Sequence, residues 1–192
     1  MADHADIQAD LKRVKLVVFD VDGVLTDGGI ILDDRGVETK RFHVRDGSGI
    51  KYLIRSGLKV AFLSGRTSLV VRVRAAELGV DEVVLGAIDK LPAYEALTAR
   101  LGLADEEVAY VGDDLPDLPV MRRAGVAAAV ADAASEVGEA ADVRLASRGG
   151  EGAAREFAEM VLRAQGKWAR ALERYSPGGD AGRPGGAAAS GG

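Results

Sequence analysis

Six short runs of β-forming residues recur along the chain, and helical patterns lie between them: Val14–Phe19, Leu58–Leu63, Glu82–Leu85, Val108–Val111, Val126–Val130 and a weaker Asp142–Leu145. Strands that alternate with helices build a parallel sheet covered on both faces. Ala61-Phe62-Leu63 shows no polar alternation, as a strand buried on both sides requires. With 192 residues, 47% of them hydrophobic, the chain can form one sizeable core. The expected fold is α/β, a Rossmann-like parallel sheet with helices on both faces.

Helix signals fill the intervals. Gly47–Arg55 follows Asp46, a candidate N-cap, and stops at Gly57. Ser68–Leu78 ends before Gly79, and Lys90–Leu101 before Gly102, both good left-handed C-terminal positions. Leu115–Arg123 carries Pro116 in its first turn, Ala133–Ala140 is short, and Gly152–Arg174 is expected to break at Gly166. One segment departs from the alternation. Gly29–Leu32, a turn at Asp34–Gly36, and Val37–Phe42 read as a β-hairpin, a flap over about residues 28–43. Its Ile30, Ile31 and Leu32 form an apolar tip, and an isolated hairpin is marginal in water. The hairpins are therefore expected to pack against neighbouring subunits. The domain is placed at 12–175, after an N-terminal extension of residues 1–11 and before a Gly/Ala/Pro-rich flexible tail at 176–192.

Composition narrows the function. The chain has no cysteine, which excludes disulfides and thiolate metal sites and fits a reducing cytoplasm. No apolar run is long enough to span a bilayer, and Met1–Asp6 is acidic and polar, unlike a secretory signal. A net charge of −5 argues against nucleic acid as a partner.

Four polar clusters each follow a different strand, so a parallel sheet brings all four to one edge, where α/β folds bind ligands. Asp20 and Asp22 end the first run. A carboxylate can attack phosphorus, and a second carboxyl two residues on can serve as acid and base; aspartates after strands also make turns and caps. The Asp22 carbonyl can face a metal that the Asp20 side chain binds. Ser64-Gly65-Arg66 offers a hydroxyl, amide groups and a cation to a phosphate, or a plain N-cap with a solvated arginine. Thr26, in the first loop, is a further candidate phosphate contact. Lys90 puts a cation at a helix amino terminus, against the dipole, a local inconsistency that points to function. Gly112-Asp113-Asp114-Leu115-Pro116-Asp117 makes a hard oxygen site suited to Mg²⁺. Asp113 is the first choice of ligand and Asp114 the next, with Asp117 as helper; Asp114 and Asp117 also suit caps. In this order the clusters compose a phosphoryl-transfer site, with Asp20, Asp22 and Lys90 catalytic. Arg45, beyond the flap, can meet a substrate carboxylate through two parallel hydrogen bonds or form an exposed ion pair. His43 reads as structural, and Trp168 as packing for the last helix. Gly150-Glu151-Gly152 lacks the third glycine and the strand–loop–helix setting of a dinucleotide loop.

On these residues the chain resembles the haloacid dehalogenase superfamily of phosphatases over roughly Lys12 to Gln165. The segments that carry the resemblance are FDVDGVLTDG, FHVRDGSGIKYL, LSGR, AYVGDDLPDLPVM, AAVADAASEV, GGEGAAREF and AQGK. Only the hairpin separates the first two motifs, so the resemblance is to the capless branch acting on sugar-acid phosphates such as 3-deoxy-D-manno-octulosonate (Kdo) 8-phosphate. It implies Mg²⁺, an aspartyl-phosphate intermediate and a homotetramer in which neighbouring subunits close each site. Glu151 stands where that branch often has arginine, which keeps a nonulosonate 9-phosphate as the competing substrate. Outside the phosphatases, a phospho-receiver domain shares the aspartate, hydroxyl and lysine. It normally lacks an acid like Asp22, because it must retain its phosphate. A regulatory oligomer that merely kept the site is the third reading.

Overall fold

The computed structural model describes residues 4–173 and 175. Six strands form one parallel sheet: β1 (Leu16–Phe19), β4 (Lys59–Ser64), β5 (Glu82–Leu85), β6 (Val108–Gly112), β7 (Val126–Ala129) and β8 (Val143–Arg144). Their spatial order is β5-β4-β1-β6-β7-β8. In β1 the side chains alternate between two cores. Val17 and Phe19 join the cluster formed with α1 (His4–Arg13), α2 (Val44–Arg55), α3 (Leu69–Leu78) and α7 (Ala153–Ala164). Leu16 and Val18 join the other, formed with α4 (Lys90–Leu101), α5 (Leu118–Met121) and α6 (Ser135–Ala140). Burial on both faces explains why the strand runs lack polar alternation. The next residue in the alternation, Asp20, falls on the α4 side.

The topology sets where chemistry can occur. From β1 the chain moves outward to β4 and β5, then returns across the sheet and runs outward through β6, β7 and β8. The direction reverses between β1 and β6, and such a switch point opens a crevice at the carboxyl ends of the strands.

Between β1 and β4 stand only the hairpin of β2 (Ile31–Leu32) and β3 (Glu38–Thr39) and helix α2, so there is no cap domain. The strands pair antiparallel, Ile31 opposite Thr39, around a turn in which Asp33 Oδ1 accepts the amides of Arg35 and Val37. Ile30, Ile31 and Leu32 are 63%, 50% and 58% exposed, as the sequence pattern requires of an unpartnered tip.

Three details depart from the sequence reading. Helix α2 starts earlier than Gly47, at Val44, and Asp46 does not cap it. Its buried carboxylate turns to α7, accepting the Gly152 amide at 3.2 Å and the Arg155 amide at 2.9 Å, which serves the free N–H groups at that helix start. The segment from Leu115 is a 3₁₀ turn over Leu115–Asp117 followed by the short α5, because Pro116 and Pro119 remove amide donors. The segment assigned as an N-terminal extension includes α1, which lays Ile7 and Leu11 into the core beside α7. The last helix breaks at Gly166 (φ 67°) as expected, and α8 (Trp168–Glu173) packs Trp168 edge-on against Tyr52, with ring centroids 5.9 Å apart. The tail at 176–192 lies outside the described residues.

Leu11 is fully buried. Leu11→Ala is therefore expected to destabilise the protein by about 2–5 kcal/mol in urea unfolding, as for a core leucine. A loss within about 0.5 kcal/mol would mean that α1 is not part of the core.

Candidate active site

The four clusters meet in one cleft of about 310 Å³, lined by Asp20, Asp22, Ser64, Gly65, Arg66, Lys90, Asp113, Asp114 and Asp117, with Ile88 and Pro116 at its edge. Asp20 leaves β1, Ser64 ends β4, Asp113 follows β6, and Lys90 opens α4 beyond β5.

Lys90 explains its own position. Its ammonium lies 2.8 Å from Asp20 Oδ1 and 2.6 Å from Asp117 Oδ1, and its side chain is 5% exposed. The helix is capped by Asp89, which accepts the Leu91 amide, so Lys90 is free to turn into the cleft. Burial alone would lower the Lys90 pKa, but Asp20 and Asp117 outweigh it and hold the ammonium above its ordinary value.

Asp117 is fully buried, and its carboxylate is saturated. Oδ1 accepts from Lys90 and from the Tyr110 hydroxyl at 2.6 Å, while Oδ2 accepts the amides of Asp113 (2.9 Å) and Asp114 (3.2 Å). Carboxylate oxygens of Asp20, Asp113 and Asp117 lie within 4.8 Å of one another. Asp117 nevertheless spends its oxygens inside the protein, shaping the loop that presents Asp113. Asp114 is exposed and caps the 3₁₀ turn through the Leu115 amide at 2.8 Å.

Asp113 differs from both. Its Oδ1 is buried without a hydrogen-bond partner. Burial first, and then the neighbouring Asp20 and Asp117, push its carboxyl up to about 9. Burial and Asp117 push Asp20 up to about 6 against the opposing pull of Lys90. Crowded carboxylates with an unsatisfied buried oxygen form a hard-oxygen donor set that fits a divalent cation such as Mg²⁺. Asp20, Asp113 and the Asp22 carbonyl are the groups that would hold it. The loop comes this close only because Gly23 (φ 98°) has no side chain, since a Cβ there would fall 2.0 Å from Asp113 Oδ2.

Asp22 lines the same cleft. It contacts the Lys40 ammonium through Oδ1, and Ser64 Oγ lies 3.4 Å from Oδ2. Ser64 Oγ also accepts the Arg66 amide at 3.1 Å. The Arg66 guanidinium reaches Glu38 of the flap at 2.8 Å, and Ser68 Oγ donates to the same carboxylate at 2.5 Å. The Ser68 bond foremost, helped by Lys40 and Arg66, holds the Glu38 carboxyl below its usual range.

Two expected contacts lie elsewhere. Thr26 does not line the cleft: its buried hydroxyl accepts the amides of Gly23 and Gly28 and donates to the Val21 carbonyl, so it folds the Asp20 loop from within. Arg45 is exposed in the first turn of α2 and borders a separate hollow of about 410 Å³ with Glu151 and Arg155. Conversely, sequence reasoning passed over Lys40, Glu38 and Tyr110. The same-face spacing of Glu38 and Lys40 in a strand was visible, as was a tyrosine within a buried run, but neither identifies its partner. The Gly149-Gly150 loop, part of the GGEGAAREF segment, has a packing role that its sequence does not show. It backs the Asp20 loop so closely that a Cβ on Gly149 would lie 1.7 Å from the Gly23 carbonyl oxygen.

Fold and site together define a doubly wound parallel α/β domain with a carboxylate centre at the carboxyl edge of its sheet. A family model for haloacid dehalogenase-like hydrolases matches residues 80–157. The chain is 47% identical over 161 residues to the 3-deoxy-D-manno-octulosonate 8-phosphate phosphatase KdsC of Haemophilus influenzae, covering 84% of this chain and 89% of that one. The Moraxella catarrhalis phosphatase of the same name, solved with magnesium, phosphate and KDO, superposes with a TM-score of 0.89 at 39% identity, over 91% of this chain and all of that one. The cobalt-bound H. influenzae structure gives a TM-score of 0.81 at 44% identity, over 88% and 96% of the two chains. The chain belongs to the haloacid dehalogenase-like hydrolases and, within them, groups with these phosphatases.

The raised carboxyls predict how stability varies with pH. Without metal, native Asp20 and Asp113 hold protons that the unfolded chain, with carboxyls near 3.8, has already released. Where the native state binds more protons, stability falls as pH rises. Thermal unfolding in EDTA is expected to show Tm falling steadily from pH 5 through 6 and on towards 9. Mg²⁺ should raise Tm most at the alkaline end. A flat Tm in EDTA that Mg²⁺ does not alter would contradict the assignment.

Proposed function

We propose that this protein hydrolyses the phosphomonoester of a sugar acid, Kdo 8-phosphate, to Kdo and phosphate through an aspartyl phosphate on Asp20. The observation that carries the reading is the pairing of two distinct carboxylates in one cleft: Asp20, buried on Lys90, and Asp22, in contact with Lys40 and Ser64. Relatives up to 47% identical are Kdo 8-phosphate phosphatases, which supports this substrate.

In the first half-reaction an Asp20 oxygen attacks phosphorus and the bond to the sugar oxygen breaks. Asp22 gives its proton to that oxygen as it leaves. In the second, Asp22 takes a proton from water, the water oxygen attacks the phosphoaspartate, and the bond to Asp20 breaks to release phosphate. Lys90 keeps Asp20 aimed and balances its charge, and the Ser64–Gly65–Arg66 turn offers hydrogen-bond donors to the phosphoryl oxygens. Mg²⁺, when held by Asp20, Asp113 and the Asp22 carbonyl, would neutralise charge on the transferring phosphoryl group.

The exposed flap tip supports a second part of the proposal, a homotetramer in which neighbouring flaps help to close each site. Ile88, 85% exposed at the cleft edge, is a further apolar surface for such a contact. No helix among the described residues is long and apolar enough to cross a membrane, and a cysteine-free chain suits the cytoplasm.

Phosphate release from Kdo 8-phosphate, nonulosonate 9-phosphates and hexose phosphates tests the substrate. Kdo 8-phosphate should give the highest kcat/KM; a nonulosonate ester in first place would shift the assignment, with Glu151 as the residue to examine. Asp20→Asn should lower turnover by on the order of 10⁴-fold or more, and Asp22→Asn by about 10²–10⁴-fold. Normal turnover by Asp20→Asn would refute the mechanism. For the assembly, light scattering should show wild type as a tetramer and Ile31→Asp as smaller species. A wild-type monomer would end that part of the proposal.

A further inference from the structure

Two lysines are buried among the described residues, Lys90 and Lys40. Lysine is rarely buried without a partner and a reason. Lys90 has both in Asp20 and Asp117. Lys40 comes from the end of the flap, its side chain 1% exposed, and no step above uses it.

Its surroundings are built rather than incidental. The ammonium contacts Asp22 Oδ1 and lies 3.2 Å from Glu38 Oε1. Glu38 is fixed in turn by Arg66 and by Ser68, the residue that caps α3. A chain of contacts therefore runs from the start of α3 through Glu38 and Lys40 to the carboxyl that serves as acid and base. Asp22 has one neighbour at each oxygen, Lys40 at Oδ1 and Ser64 at Oδ2. A carboxylate held at both ends loses its rotational freedom, and fixed orientation contributes to rate when a proton must pass at a defined point.

We propose that Lys40 is a positioning residue: it reaches from the flap to hold Asp22 in the orientation from which it protonates the leaving oxygen and later deprotonates water. The flap thus works on the site of its own chain, in addition to any lid lent by another copy. This inference rests on the phosphatase reading and deepens it.

Rapid-mixing kinetics of Lys40→Met and Lys40→Arg, with the sugar ester and with p-nitrophenyl phosphate, test it. Nitrophenolate leaves without a proton, whereas a sugar alkoxide needs one. With Lys40→Met, kcat for the sugar ester should fall about 10²-fold or more while KM stays within a few-fold. The first-turnover release of nitrophenolate should stay near the wild-type rate, and its steady state should slow, because water must still be deprotonated. Lys40→Arg should recover part of the loss. Equal slowing of both nitrophenyl phases, or a raised KM at unchanged kcat, would mean that Lys40 only packs the flap and would overturn the proposal. If Lys40→Met fails to fold, Glu38→Gln should give the same split between phases in milder form, and its absence would equally refute the role. Wild-type protein separates the two readings. No turnover by wild type refutes the activity and this role with it; turnover that Lys40→Met leaves intact refutes Lys40 alone.

Discussion

The contact on which the rest of the site depends is the buried ammonium of Lys90 between Asp20 and Asp117. Burial pushes the Asp20 carboxyl up, and the lysine pulls it back down. Removing one partner from such a buried set costs about 3–5 kcal/mol, because it strands the remaining charges. Tyr110 completes the arrangement: burial and Asp117 push its hydroxyl well above its ordinary range, so it stays a donor to Asp117. Asp117 in turn holds the amides of Asp113 and Asp114. One lysine thereby orients Asp20 directly and the Asp113 loop at one remove.

Topology brings these groups together. β1 and β6 are adjacent while their onward connections run in opposite directions, so Asp20 and Asp113 face each other at the switch point. The loops after these strands can approach only because they meet at Gly23, and Gly149 closes against the same loop from behind. The crowding that raises Asp113 is thus a property of the backbone path. Such a site trades metal-free stability for a strong demand for a cation.

Much of this was legible in the chain. The strand runs were readable because burial on both faces removes polar alternation, and Gly79 and Gly102 marked helix ends because their left-handed backbone favours glycine. Lys90 announced itself by contradicting the helix dipole. Thr26 misled because a hydroxyl in a phosphate-type loop looks the same whether it faces outward to a ligand or inward to amides. Asp46 misled because a cap assigned from local sequence can serve a helix more than a hundred residues away, as it does for Arg155. Lys40 and Tyr110 stayed hidden because their roles depend on partners that only the tertiary fold supplies.

The flap faces two ways. Its tip faces outward and apolar, while its base ties Glu38 and Lys40 to Arg66 and Asp22. The central proposal is that phosphorus is transferred to Asp20. Rapid quenching during turnover, borohydride reduction and peptide mass spectrometry test that point, since reduction of an aspartyl phosphate leaves homoserine. Substrate-dependent homoserine at position 20 is the result expected. Modification at Asp22 or Asp113 instead, or none while phosphate is being released, would contradict the account.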